Sequence, residues 1–211
     1  MSLISSSGRV RSAVSSRVEH DAALYRDIAR RMPRGLPPTA FMLRYVGPEA
    51  RDLFDRYAAP SDWSGFRAAV AARYPDVPAW TPTVAQDGTR LASVPERMVY
   101  ELLRPRLPCD ITLVLHPRLP VPGRRFDADF GLSGRSGPVL HVEVTGAVAR
   151  NIAPELEHEH RMTRRLAAKL EACAKAGLGA PVILYADDFG DRARLESGLD
   201  HLITAAREMV L

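Results

Sequence analysis

The sequence predicts an α/β fold with the element order αβββαβα in its C-terminal half, preceded by a small helical N-terminal unit. Three observations indicate this order. Ser93-Val-Pro-Glu96 is a capping box that precedes apolar positions at helical spacing. Three runs typical of strands follow it. A long helical pattern then ends at Gly177, and the apolar segment PVILY and a final amphipathic stretch complete the order.

Apolar spacing and turn residues set the predicted bounds of these elements. The capping box predicts a helix over residues 94–103, and the glycine-rich segment 131–138 predicts a hairpin loop. The three strands are predicted over residues 111–116, 124–130 and 139–145. The remaining elements are a helix over residues 154–176, a strand over 181–185 and a helix over 192–209.

The N-terminal half reads as short helices separated by prolines. Apolar spacing predicts helices over residues 17–32 and 48–58 and a third after Ser61. Residues 75–89 contain three prolines and a glycine and predict the connection to the second unit. The predicted organisation is a disordered tail over residues 1–18, a helical unit with its linker over 19–90, and the α/β domain over 91–211.

Composition excludes several classes of protein. The chain has 211 residues, 46% of them hydrophobic and 26% charged, which is typical of a globular protein with a buried core. No apolar run approaches the ~20 residues of a membrane helix, so we expect no membrane partner. Cys109 and Cys173 stand far apart without a CxxC spacing, which excludes a disulfide scaffold or a structural zinc site. We therefore expect a cytoplasmic protein.

Acidic residues on two of the predicted strands carry the chemistry. Asp127 and Asp129 alternate within RRFDADF and would project from one face of a strand. Glu143 lies in the apolar run VLHVEVTG, with His141 and Thr145 on its own face. A hairpin would bring an aspartate and Glu143 together. Because unpaired buried carboxylates are costly, they need a cation or a hydrogen-bonding partner, and Mg²⁺ prefers carboxylates, waters and a substrate phosphate.

This pattern resembles the PD-(D/E)xK, or restriction-endonuclease-like, superfamily and its Vsr-like group. The resemblance covers roughly 120 of the 211 residues and implies an αβββαβ core, which residues 94–186 would reproduce in order. It implies that Asp129, with Asp127 as the alternate, and Glu143 are catalytic acids that bind Mg²⁺ or Mn²⁺. It also implies an auxiliary acid on the preceding helix, for which SVPER offers Glu96.

The sequence departs from that family at one position. Thr145 stands where most members carry a lysine two residues after the second acid. Uma-type proteins have E-V-x-S/T at this place and a lysine on the following helix, and by that resemblance Lys169 is the candidate. Arg161, Arg164 and Arg165 of the same helix are candidates for binding flanking phosphates.

Two functions from different classes remain open at this point. The first is a metal-dependent DNA nuclease. Its oligomeric state stays open, although enzymes of this kind commonly cleave both strands with two active sites, which a homodimer would supply. The second is an inactive module of the same fold that binds DNA or a protein partner, which Thr145 favours. Glu96 also has a structural explanation, because it would be the N3 acid of the capping box. His116 and His141 have one as well, because both lie on predicted strands. A third interpretation is an unrelated α/β domain with incidental acids.

Overall fold

The computed structural model describes residues 6–58, 62–134 and 140–208, with the backbone alone over residues 6–15. The chain divides into two units, Met1–Thr81 and Pro82–Leu211. Together the described residues form a mixed α/β structure with seven α-helices and one four-stranded mixed sheet. Within these ranges, no helix has both the length and the apolar character needed to cross a membrane.

The first unit contains only helices among its described residues. They are α1 (Ser6–Arg31), α2 (Ala40–Leu43), α3 (Pro48–Leu53), which a π-helical turn continues over Phe54–Ala58, and α4 (Trp63–Arg73). α1 begins well before residue 17, because no proline interrupts residues 6–31. Residues 6–18 therefore lie in a helix, which differs from the predicted disordered tail, and residues 1–5 lie outside the described residues. The short α2 was not predicted, and its N-cap is Thr39, whose side chain accepts the Met42 N–H.

An aromatic cluster and one buried acid hold this unit together. Tyr25 is fully buried, packs edge-on against Trp63 and Phe66, and donates its hydroxyl to the Pro38 carbonyl at 3.0 Å. Asp21, which is 1% exposed, accepts hydrogen bonds from Arg56 and Tyr57 in the π-helical turn. These contacts fix α1 against the turn that follows α3.

The second unit follows the predicted element order αβββαβα. Its elements are α5 (Val94–Leu103), β1 (Thr112–Leu115), β2 (Phe130–Ser133), β3 (Leu140–Val144), α6 (Glu157–Lys175), β4 (Val182–Leu184) and α7 (Arg192–Glu208). The sheet order is β1-β2-β3-β4, with antiparallel pairs β1–β2 and β2–β3 and a parallel pair β3–β4. α6 makes the crossover that a parallel pair requires. Phe130, Leu132 and Val142 are fully buried at the centre of the sheet.

The second unit begins earlier than the predicted residue 91. The Leu91 N–H donates to the Thr83 carbonyl, so residues 83–91 form a closed loop. Glu101 on α5 accepts the Gln86 N–H at 3.1 Å, and the Tyr100 hydroxyl donates to Asp87 at 2.7 Å. Side chains of α5 thus hold the second half of the predicted linker onto this unit.

The position of the second strand corrects the prediction. The strand covers Phe130–Ser133, whereas residues 124–130 were predicted and residues 131–138 were assigned to a loop. Gly131 pairs with Val114 on one side and His141 on the other, and the buried Leu132 pairs with Leu113 and Leu140. Burial of Phe130 and Leu132 favours the strand despite the glycine, whereas the glycine-rich composition indicated a turn. Residues 135–139 of the predicted loop lie outside the described residues.

Gly177 ends α6 in the manner that the sequence predicts. Its φ is +70°, its N–H donates to Ala174, and the Leu178 N–H donates to Cys173. This hydrogen-bond pair is a Schellman motif, which places a left-handed residue after the helix. Nothing lies within 4 Å of a Cβ added there. The requirement for glycine is therefore conformational and not steric.

We expect Gly177→Ala to lower the free energy of unfolding of this unit by about 1 kcal/mol, because a Cβ disfavours the left-handed region. Gly179→Ala is the matched control, since that position has open space and no positive φ in the structure. The control should change stability by less than about 0.5 kcal/mol. Chemical denaturation followed by far-ultraviolet circular dichroism measures both, and equal losses would contradict the role of the left-handed backbone.

Candidate metal centre

Three side chains from different elements converge beside the sheet. Glu96 lies in the first turn of α5, His116 directly follows β1, and Asp129 directly precedes β2. One ligand atom from each lies within 4.8 Å of the other two. Glu96 is buried, Asp129 is half-buried, and the His116 side chain is 42% exposed. Such a group could hold a metal ion and leaves one side open to solvent.

Ser93 caps α5 as the sequence predicts, and the Glu96 carboxylate is held by residues at the start of the helix. The Ser93 hydroxyl accepts the Glu96 N–H at 3.3 Å and donates to its Oε1 at 2.8 Å. The Ala92 N–H donates to Oε2 at 3.2 Å. Burial first, and the charge of Asp129 second, raise the pKa of Glu96. The Glu96 carboxylate therefore holds the N-cap residue Ser93 in place and also faces the other two members of the group.

Main-chain hydrogen bonds to both neighbouring strands position Asp129. Its N–H donates to the Val142 carbonyl at 3.1 Å, and its carbonyl accepts the His116 N–H at 3.1 Å. Its Oδ2 accepts the Val144 N–H at 2.6 Å. Burial raises the pKa of Asp129 against the effect of that hydrogen bond and of the nearby Lys169. The carboxylate is therefore fixed in a setting that disfavours an uncompensated negative charge.

Glu143 on β3 and Lys169 on α6 form a buried ion pair. The Lys169 Nζ donates to Glu143 Oε1 at 2.6 Å and to the Asp127 carbonyl at 2.8 Å. The two side chains are 10% and 8% exposed. Burial, followed by repulsion from Asp129, raises the pKa of Glu143 to about 7, and these effects outweigh the attraction of Lys169. The structure thus brings together the acid and the lysine that the sequence singled out.

The structure gives three other predicted residues different surroundings. The Asp127 side chain is exposed, and its main-chain carbonyl makes the contact with Lys169. The Thr145 hydroxyl accepts the N–H groups of Ala147 and Val148 at 3.3 and 3.1 Å, which closes the turn after β3. His141 is half-buried on β3, and burial lowers its pKa. Of the two aspartates of RRFDADF, Asp129 alone contributes its carboxylate to the metal-binding group.

The basic residues of α6 differ in their relation to the site. Arg161, Arg165 and Lys169 are spaced at i, i+4 and share one face of the helix. Arg165 is exposed and lowers the pKa of both Asp129 and Glu143, so its charge acts at the site. Arg164 instead forms an exposed ion pair with Glu157 at 2.9 Å.

His116 is the residue that sequence reasoning missed, because it was assigned a structural role on the first strand. It follows that strand in a left-handed conformation with φ +46°. Histidine adopts this region more readily than most residues, but a single sequence does not reveal the conformation. The available signal was a polar residue at a strand end, directly before Pro117.

No protein-family model, curated protein or solved structure matches the chain. The donor set itself therefore indicates the chemistry. Carboxylate oxygens suit Mg²⁺ and Mn²⁺, whereas an imidazole suits transition metals. The three side chains fit a divalent cation.

The raised pKa of Glu143 predicts a pH dependence of stability. The pKa of Glu143 is about 7 in the folded protein, against an ordinary value of 4.5. The protonated carboxyl therefore contributes its full stabilisation below pH 4.5. That contribution is lost as the pH rises through about 7. We expect Glu143→Gln to remove this loss, so that the free energy of unfolding in EDTA falls less steeply between pH 4.5 and 7 than in the wild type.

Chemical denaturation at several pH values tests the slope of this profile. Glu157→Gln on the exposed start of α6 is the control and should keep the wild-type slope. The slope carries the test because Glu143→Gln also leaves Lys169 without its charge partner. An unchanged slope in Glu143→Gln would contradict the assignment.

Proposed function

We propose that the Pro82–Leu211 unit is a metal-dependent phosphodiesterase that cleaves DNA and has a restriction-endonuclease-like core. The observation that carries the proposal is the convergence of three acids and one lysine from four different elements. Glu96 and Asp129 belong to the metal-binding group, and Glu143 pairs with Lys169 within electrostatic range of Asp129.

The topology supports the proposed fold class. The order αβββαβ and the mixed sheet with one parallel crossover agree with the core that the PD-(D/E)xK resemblance implies. An acid directly before the second strand and an acid on the third match its two principal acidic positions. Thr145 occupies the usual position of the family's lysine and closes a turn instead. The lysine beside Glu143 belongs to α6, which resembles the arrangement of Uma-type proteins.

The site residues divide the proposed chemistry among them. Glu96 and Asp129 would hold the cation, and Glu143 lies close enough to Asp129 to be affected by its charge. A bound Mg²⁺ or Mn²⁺ would polarise the scissile phosphate and lower the pKa of an attacking water. Lys169 lies next to Glu143 and would stabilise the negative charge that develops on the phosphate.

Exposed arginines support a polyanionic substrate. Arg165 extends the face of α6 that carries Lys169, and Arg161 lies one further turn towards the N-terminus of the helix. The first 94 residues add 13 arginines against 9 acids, so the basic excess of the chain lies there and favours sequence-independent attraction to a duplex. The choice of DNA over RNA rests on the family resemblance.

We expect Mg²⁺- or Mn²⁺-dependent cleavage of supercoiled plasmid or single-stranded DNA. Asp129→Asn and Lys169→Met should each lower the rate on the order of 10²-fold or more, because each removes charge from the reacting centre. Asp127→Asn is the matched control and should retain wild-type activity, since only its carbonyl contacts Lys169.

Circular dichroism of each variant separates loss of chemistry from loss of fold. Equal cleavage by the wild type and Asp129→Asn would place the activity at another site. DNA binding without cleavage, unaffected by Asp129→Asn, would favour the inactive binding module instead.

The two neighbouring arginines provide a test of the DNA-binding face. We expect Arg165→Gln to weaken DNA binding and to reduce the slope of log affinity against log salt by about 1, the change expected for one lost phosphate contact. Arg164→Gln should have a smaller effect, because the Arg164 guanidinium is already paired with the exposed Glu157 carboxylate. Fluorescence anisotropy over a salt series measures both slopes, and equal effects would argue against this face.

A further inference from the structure

We propose that His116 is a metal ligand and that its imidazole makes the centre prefer Mn²⁺ or a similar transition-metal cation over Mg²⁺. This inference rests on the proposed function in using the same cation site at Asp129. It adds a ligand that lies outside the acid-and-lysine pattern of the sequence. It also names the determinant of metal choice.

The distances within the group suit a shared ion better than direct contact. The His116 Nε2 lies 3.8 Å from the Glu96 Oε2, which is beyond hydrogen-bonding distance. Two ligands that each lie about 2.1 Å from one ion are separated by roughly 3 Å in a cis and 4.2 Å in a trans octahedral arrangement. The observed separation lies between these values.

Main-chain hydrogen bonds to the segment that carries Asp129 fix the backbone at His116. The His116 N–H donates to the Asp129 carbonyl, and the Ala128 N–H donates to the Pro117 carbonyl at 3.0 Å. These bonds extend the β1–β2 pairing around His116, which adopts a φ of +46°. A left-handed conformation is unfavourable for residues other than glycine, and such strain is typical of functional sites.

The chemistry of the three ligands determines the proposed preference. Mg²⁺ binds oxygen ligands and retains several waters, whereas imidazole favours transition metals. The His116 side chain is 42% exposed, so a cation at this place would keep positions open for water or a phosphate oxygen. The competing explanation is an ion pair between a protonated His116 and Glu96, with no metal.

Electron spin echo envelope modulation of Mn²⁺ bound to the full chain tests the inference directly. We expect ¹⁴N modulation from a coordinated imidazole in the wild type and its loss in His116→Ala. Titration should show Mn²⁺ affinity lowered by about 10–100-fold in that variant, and competition should show a smaller loss for Mg²⁺. His160→Ala, an exposed position on α6, is the control and should keep the modulation.

A second variant guards against misfolding. His116→Asn retains a side chain that tolerates the left-handed backbone but lacks an imidazole, so it should fold and also lose the modulation. Modulation that persists in both variants, or equal losses of Mn²⁺ and Mg²⁺ affinity, would overturn the inference. If the wild type shows modulation but no DNA cleavage, His116 is a ligand and the proposed nuclease activity is refuted. If the wild type cleaves DNA but shows no modulation, only the assignment of His116 as a ligand is refuted.

Discussion

One buried ammonium group joins three parts of the second unit. Lys169 on α6 donates to Glu143 on β3 at 2.6 Å and to the Asp127 carbonyl, which precedes β2, at 2.8 Å. A buried charge without a partner costs several kcal/mol, so the loss of either member of the ion pair destabilises this unit. The pair fixes α6 over the middle of the sheet. It also holds the chain at the point where it enters β2, and therefore the position of Asp129.

The charges at this place do not balance within the protein. Glu96, Asp129 and Glu143 are three acids close enough for Asp129 to raise the pKa of both others. Lys169 supplies one buried positive charge, and Arg165 adds an exposed one that solvent screens. Repulsion among the acids is therefore only partly offset. A divalent cation beside Asp129 would supply the missing charge, which is the physical basis of the proposed metal dependence.

Local sequence signals predicted the elements better than the strand register. The Ser93 N-cap and the left-handed Gly177 each have a local cause, and both stand in the structure as predicted. β2 was misplaced because its central Gly131 gives no local sign of pairing, while burial of Leu132 depends on neighbours distant in sequence. The same limit applies to the site. Lys169 was identified because the sequence resembles Uma-type proteins. The place of His116 in the site depends on a backbone conformation that composition does not reveal.

The hydroxyl of Thr145 bears on whether the proposed site is active. Thr145 accepts two N–H groups of the turn after β3, and its own N–H donates to the Leu184 carbonyl at 2.9 Å. An ammonium group has no acceptor, so a lysine at this position could not close the same turn. The positive charge beside Glu143 must then come from another element, and Lys169 already provides it. Thr145 is thus explained by the turn, and its presence no longer favours an inactive module over the proposed enzyme.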